Sequence, residues 1–129
     1  MILVVDIGNT RIKWGRSRDG SLAGVDGVLL GAPGDRDAWE PKWLALERPA
    51  RIVIANVAGA AIADRICAWT QRVWGLRPEF IQSSKSFQNV RNGYRSPERL
   101  GADRWVALIA GYHITRGPAL VVSCGTAVT

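Results

Sequence analysis

Three short segments hold the residue types that phosphoryl chemistry uses. The first is Asp6-Ile7-Gly8-Asn9-Thr10, which follows the apolar run Met1–Val5. Phosphoryl transfer depends on charge neutralisation and positioning more than on covalent chemistry. Backbone N–H groups in a tight turn cradle phosphate oxygens, and glycine lets those oxygens come close. Asn9 and Thr10 add neutral donors, and the Asp6 carboxylate can hold Mg²⁺ or its water shell. The second segment, Gly125-Thr126-Ala127, also follows an apolar run and is a second candidate phosphate loop. The third is Gly101-Ala102-Asp103-Arg104 at the start of a helical pattern, preceded by Tyr94 in a polar stretch. Asp103 can take a proton from a hydroxyl nucleophile, and the Arg104 fork can clamp a carboxylate. The first and third segments also have plainer explanations. The first reads equally as an ordinary hairpin turn, an acid in a first helical turn suits the macrodipole beside a solvated arginine, and Tyr94 can be a surface aromatic.

The elements that must position these groups follow from periodicity. Met1–Asp6 is a continuous run rich in β-branched residues and predicts a buried strand. Over Arg11–Ser17, Ile12 and Trp14 alternate with charged residues, so a second strand pairs back as a hairpin. Asp19-Gly20 signals a type I′ turn into a third strand at Val25–Leu30. Gly31–Asp37 reads as loop, and Trp39–Leu46 as a short helix with Pro41 near its start. Arg51–Asn56 is a further strand. Gly59–Trp74 is a helix with the stripe Ile62, Ile66, Trp69 and Val73, stopped at Gly75. A short strand at Glu79–Gln82 and a polar loop over Ser83–Pro97 come next. A helix at Ala102–Thr115, with Val106, Ile109 and Ala110 inward, and a last strand at Ala119–Ser123 complete the pattern. Three meandering strands followed by alternating helix and strand make a mixed α/β sheet. Its carboxyl edge is where such folds bind ligands.

Composition narrows the function classes. The 129 residues suffice for a core, and 47% hydrophobic with 22% charged residues is ordinary for a globular chain. No run approaches the roughly 18 apolar residues of a membrane span. The N-terminus lacks the basic region of a signal peptide, so a cytoplasmic location is expected. One histidine, His113, and two cysteines without metal-ligand spacing argue against zinc and against Ser-His-Asp catalysis. Cys67 and Cys124 lie in apolar segments and read as buried thiols. The net charge of +6 is dominated by arginine, whose planar fork suits phosphate and carboxylate ligands. The arginines are scattered rather than blocked, which argues against nucleic acid as the partner. The six tryptophans read as packing residues rather than stacking platforms.

With these residues in this order, the chain resembles the type III pantothenate kinases, a group that includes proteins called Bvg accessory factors. The resemblance rests on Asp6–Thr10, on Tyr94 with Gly101–Arg104, and on the run Val121–Ala127. It implies an α/β fold of the actin-like ATPase type. A ribonuclease-H-like lobe would occupy 1–117, and the first strand and phosphate turn of a second lobe 118–129. The chain would then be the N-terminal half of a longer kinase, inactive alone. The implied activity is ATP-dependent phosphorylation of pantothenate, the first step of coenzyme A synthesis. On that resemblance Asp6, Ile7, Gly8, Asn9, Thr10, Arg11, Ile12 and Lys13 contact the ATP phosphates, with Thr126 in the second loop. Tyr94, Gly101, Ala102, Asp103 and Arg104 bind pantothenate, and Asp103 accepts the proton. Mg²⁺, a monovalent cation (K⁺ or NH₄⁺) and a homodimer are implied as well. One position departs from the pattern: Ser123 stands where the family usually has the aspartate that ligates the monovalent cation. Two alternatives remain open at this stage, a non-catalytic regulatory protein on the same fold and a kinase of another small hydroxyl substrate.

Overall fold

The computed structural model describes residues 1–31, 37–125 and 127–129. Most of the loop expected at Gly31–Asp37, and Thr126, lie outside the described residues. The chain folds as two compact units, Met1–Ile81 and Gln82–Thr129.

The first unit is built on a five-stranded mixed sheet. In chain order its elements are β1 (Ile2–Ile7), β2 (Arg11–Arg18), β3 (Ser21–Leu29), α1 (Trp39–Leu44), β4 (Arg51–Asn56), α2 (Ala60–Trp74) and β5 (Glu79–Phe80). The strand order is β3-β2-β1-β4-β5. β1, β2 and β3 form the antiparallel meander, whereas β4 runs parallel to β1 and β5 parallel to β4. This is the mixed sheet predicted from sequence and agrees with the actin-like ATPase fold. Alternation along β1 puts Leu3, Val5 and Ile7 in the core and leaves Ile2, Val4 and Asp6 half-buried on the opposite face. β2 does the same with Ile12 and Trp14. Asp19 and Gly20 both take positive φ, 49° and 77°, as a type I′ turn requires. That turn closes the hairpin at once, so β3 starts at Ser21 and not at Val25.

Five tryptophans fill the core of this unit. Trp39 and Trp43 of α1 are fully buried, with ring centroids 4.7 Å apart. Trp69 of α2 lies edge-on to Trp39 at 5.4 Å and to Trp74 at 4.9 Å, and Trp14 of β2 meets Trp43 at 6.0 Å. Their role as packing residues is as predicted. The stripe expected on α2 is displaced at its end. Ile66 and Trp69 are buried and Ile62 partly so, but Val73 is 36% exposed while Thr70 and Trp74 are inside. The larger indole of Trp74 hides more apolar area than Val73 can, so the buried face turns toward it.

The second unit is sparser. Its elements are β6 (Ser86–Phe87), β7 (Val90–Arg91), a 3-10 turn at Pro97–Arg99 and α3 (Ala102–Thr115). β6 and β7 pair antiparallel, a small hairpin within the segment predicted to be loop. The bounds of α3 are as predicted, but its buried residues are Ala102 and Trp105; Val106 and Ile109 are half-buried and Ala110 is exposed. The strand predicted at Ala119–Ser123 is not formed. A strand needs a ladder partner, and among the described residues this segment has none. Instead Ser123 and Thr129 exchange both backbone hydrogen bonds, at 2.7 and 3.0 Å, and Cys124 bridges Val128. Cys124 is therefore exposed, contrary to the buried thiol expected, and Cys67 is only half-buried. Among the described residues no helix is long and apolar enough to cross a membrane.

Candidate functional site

In the first unit the candidate residues gather at the β1–β2 turn. The ladder runs to Ile7 opposite Ile12 and sets Asp6 directly across from Lys13. Residues that face each other on an antiparallel pair share one side of the sheet. The Lys13 ammonium accordingly sits 2.6 Å from an Asp6 carboxylate oxygen, with both side chains about half-exposed. Beyond the ladder the Gly8 N–H donates to the Arg11 carbonyl at 2.9 Å and closes the turn. Two flanking segments tie it down: Val57 N–H donates to the Ile7 carbonyl, and Leu30 N–H to the Thr10 carbonyl, each at 2.9 Å. Asn9, Thr10 and Arg11 are exposed, whereas the Ile7 and Ile12 side chains are fully buried. What Ile7 and Ile12 offer a ligand is thus backbone, anchored from beneath by the core.

Gly8 is informative in a different way. Its φ is not positive, and a Cβ there would meet only the Arg11 carbonyl oxygen, at an ordinary 3.6 Å. The turn itself does not require glycine. A bare backbone at this point suits a group approaching from outside.

The charges at the turn fit a nucleotide's phosphates and their metal. Asp6 supplies one carboxylate, and Mg²⁺ is commonly held by one or two carboxylates together with substrate phosphates. Among the described residues no group of three or more His, Cys, Asp or Glu forms a self-sufficient metal cage. Asp6 is the one carboxylate among residues 6–13, and it could join a cation held mainly by phosphate oxygens. Lys13, now satisfied by Asp6, can exchange that partner for a phosphate.

In the second unit the candidate residues lie on the segment before α3 and in its first turn. Asn92 organises that segment. Its side-chain oxygen accepts the Tyr94 N–H at 3.0 Å, its amide donates to the Pro97 carbonyl at 3.1 Å, and its own N–H donates to the Lys85 carbonyl at 2.9 Å. The Tyr94 backbone is thereby held, and the residue is 48% exposed. Ser83 Oγ donates to the Leu100 carbonyl. Gly101 caps α3, its carbonyl accepting the Trp105 N–H at 3.0 Å. Ala102 and Trp105 are buried and anchor the helix start.

Asp103 is half-buried and Arg104 exposed. One Asp103 oxygen accepts the Arg104 N–H at 2.8 Å, one of the first-turn donors that a helix leaves without a partner. The carboxylate is thus fixed in orientation. Successive helical residues point about 100° apart, so the Asp103 acid and the Arg104 guanidinium address different parts of a bound molecule. Ser123 is exposed, with its backbone N–H and carbonyl engaged by Thr129. Thr126 lies outside the described residues, and Gly125 N–H donates to Ala127 O at 3.1 Å.

Reading the sequence by residue type gave no role to Asn92. The signal was present, because Asn92-Gly93 is a strong turn dipeptide. An asparagine that also bonds three residues beyond its turn is visible only in three dimensions.

Comparison with known proteins gives this arrangement a family. The family model described as type III pantothenate kinase matches residues 2–129. Curated relatives of that name include proteins from Nitrosococcus oceani, 39% identical over 134 residues, and Nitrosospira multiformis, 41% identical over 129 residues. A third, from Aromatoleum aromaticum, is 45% identical over 133 residues. Each of these matches covers 100% of this chain and 50%, 48% and 52% of the respective relative. The chain thus spans about half the length of the curated relatives it matches. The family match runs through the β1–β2 turn, Tyr94 and the start of α3: the chain belongs to the type III pantothenate kinase family.

Proposed function

We propose that this chain carries the phosphate turn and the substrate-binding helix start of an ATP-dependent pantothenate kinase, which makes 4′-phosphopantothenate for coenzyme A synthesis. The observation that supports this most is the family match over residues 2–129, which takes in Asp6–Lys13, Tyr94 and Gly101–Arg104 together. In this reading the backbone from Asp6 to Lys13 receives the ATP phosphates, with Thr126 in a second loop. Lys13 leaves Asp6 for a phosphate oxygen. Mg²⁺, when bound by Asp6 and the phosphates, would offset charge building on the transferred group. Arg104 holds the pantothenate carboxylate as a two-pronged donor. Tyr94 and the Gly101–Ala102 backbone line the substrate. Asp103, held by the Arg104 N–H, accepts the proton of the primary hydroxyl as that oxygen bonds to the γ-phosphorus of ATP and the bond from that phosphorus to the β–γ bridging oxygen breaks, releasing ADP.

The monovalent cation is a separate matter. Ser123 brings a neutral hydroxyl where the resemblance called for a carboxylate, and its own backbone groups are engaged by Thr129. These donors do not fit a tight K⁺ or NH₄⁺ site. We assign 118–129 to the second phosphate turn, with the other lobe supplied by the further length that the relatives have. We also assign the complete gene product to the cytoplasm, where ATP is abundant, and to a homodimer. Apolar side chains exposed on the second unit, among them Ile114 and Leu120, support an assembled state.

The test is an ADP-release assay on the complete gene product with ATP and Mg²⁺, with and without pantothenate. Pantothenate-dependent turnover is expected. Well-folded protein that turns over only another hydroxyl compound, or nothing, would overturn the assignment.

A further inference from the structure

The loop between β4 and α2 is built around one side chain, and nothing in the proposed reaction uses it. Asn56 ends β4, directly beside Ile7 in the parallel register of β1 and β4. Its side-chain oxygen accepts the Ala58 N–H at 2.9 Å, and its amide donates to the Gly59 carbonyl at 2.8 Å. Both ends of the amide are therefore committed within the loop Asn56–Gly59. Gly59 completes the reversal with φ 96°, a conformation that L side chains rarely adopt. Between these two residues lies Val57, whose N–H donates to the Ile7 carbonyl at 2.9 Å. That bond is the last one on this side before the turn begins: the next residue, Gly8, already bonds across to Arg11.

We propose that Asn56 is a positioning residue for the β1–β2 phosphate turn. By closing the Asn56–Gly59 loop on itself, it holds the Val57 N–H against the Ile7 carbonyl and so fixes the backbone from which Gly8, Asn9 and Thr10 extend. The role is indirect. With its oxygen and its amide both engaged locally, Asn56 works through Val57 and not by touching the nucleotide. The inference rests on the reading of Asp6–Lys13 as the ATP phosphate turn. Backbone donors that must meet phosphate oxygens lose much of their value when displaced, because charge-assisted hydrogen bonds depend on distance and direction.

The test compares the complete gene product with Asn56→Ala and Asn56→Ser, using calorimetric ATP titration alongside steady-state kinetics. Alanine removes both loop bonds. Serine keeps a hydroxyl that can take the Ala58 N–H in the weaker turn of that type. The two lost bonds predict a roughly tenfold weaker ATP affinity and a matching rise in KM for ATP for Asn56→Ala. KM for pantothenate should stay within about twofold, and Asn56→Ser should lie between alanine and wild type. Amide hydrogen exchange should quicken at Val57 and across Gly8–Arg11 while the α2 amides keep their protection. If Asn56→Ala fails to fold, Asn56→Ser carries the same comparison.

Unchanged ATP affinity, or equal rises in both KM values with a general loss of protection, would overturn the positioning role. ATP binding that weakens in the variants, in a wild type that does not phosphorylate pantothenate, would leave this role standing and remove the substrate assignment alone. A wild type that binds no ATP would remove both.

Discussion

The two units hold their candidate residues by different means. In the first, the β1–β2 turn rises from strands whose inward side chains, Leu3, Val5, Ile7, Ile12 and Trp14, are buried against a cluster of tryptophans. In the second, the segment carrying Tyr94 has only two-residue strands, and its conformation is set by Asn92 and Ser83 through side-chain bonds to backbone. Packing is non-directional and spread over many atoms, so it tolerates small local losses. A hydrogen-bonded loop depends on single groups. The β1–β2 turn should therefore respond to the core beneath it, and the segment carrying Tyr94 to individual polar side chains.

The largest effect should come from emptying the core of the first unit. Trp69 touches Trp39, Trp43 and Trp74. Trp69→Ala removes that ring and should cost about 3–5 kcal/mol, read as a shift in the urea midpoint. A loss below about 1 kcal/mol would break the contrast, since the turn would not then depend on packing. Trp43 gives a sharper version. Its indole nitrogen is buried without a hydrogen-bond partner, which carries a desolvation cost. Trp43→Phe should therefore be much milder than Trp69→Ala although both residues lie in the same cluster.

Asp103→Asn is the next largest and should leave stability alone. The asparagine oxygen can still accept the Arg104 N–H, so α3 keeps its first turn. Loss of a positioned proton acceptor should lower kcat by about 100-fold or more, with an unfolding midpoint unchanged. Asn92→Ala should be smaller and of another kind. It removes the bonds to the Tyr94 N–H and the Pro97 carbonyl, each contributing about 1 kcal/mol. KM for pantothenate should rise several-fold while KM for ATP holds. If the ATP value rose instead, the assignment of the two units to different substrates would fail.

The same contrast explains what could be read from the sequence. Strands and helices of the first unit follow largely from alternation and period, because a single core imposes them; β4 even has the predicted bounds, as α3 does in the second unit. Reading failed where neighbours decide. Ala119–Ser123 has the composition of a strand but no partner to pair with among the described residues. Val73 fits the α2 stripe, yet Trp74 takes the interior. The hairpin at Ser86–Arg91 is too short to produce a period. Within the candidate site, Asp6, Gly8, Asp103 and Arg104 stand out in the sequence because the chemistry proposed for them is in their side chains or in the lack of one. Asn56 and Asn92 do not, since the bonds they make depend on which backbone groups of their own loops fold back within reach.

The smallest predicted effect tests whether charge matters to the first unit at all. Arg51 of β4 and Glu79 of β5 form a two-pronged pair, both bonds 2.8 Å, across the shortest strand of the sheet. The hydrogen bonds from Arg51, aided by its charge, hold the Glu79 carboxyl below its ordinary value of 4.5. A lowered folded-state value means that the pair's contribution is fully present above about pH 4.5. It shrinks as pH falls below that value and is gone once Glu79 is protonated in the folded protein too. The pair is exposed, and exposed pairs contribute little and are screened by salt. Glu79→Gln should thus lower the urea midpoint slightly at neutral pH and low salt. The difference from wild type should close as pH falls below 4.5 or as salt is raised. A difference that persisted in acid would mean that the glutamate acts through packing, and one as large as that of Trp69→Ala would show the sheet edge, not the tryptophan core, to be what holds the β1–β2 turn in place.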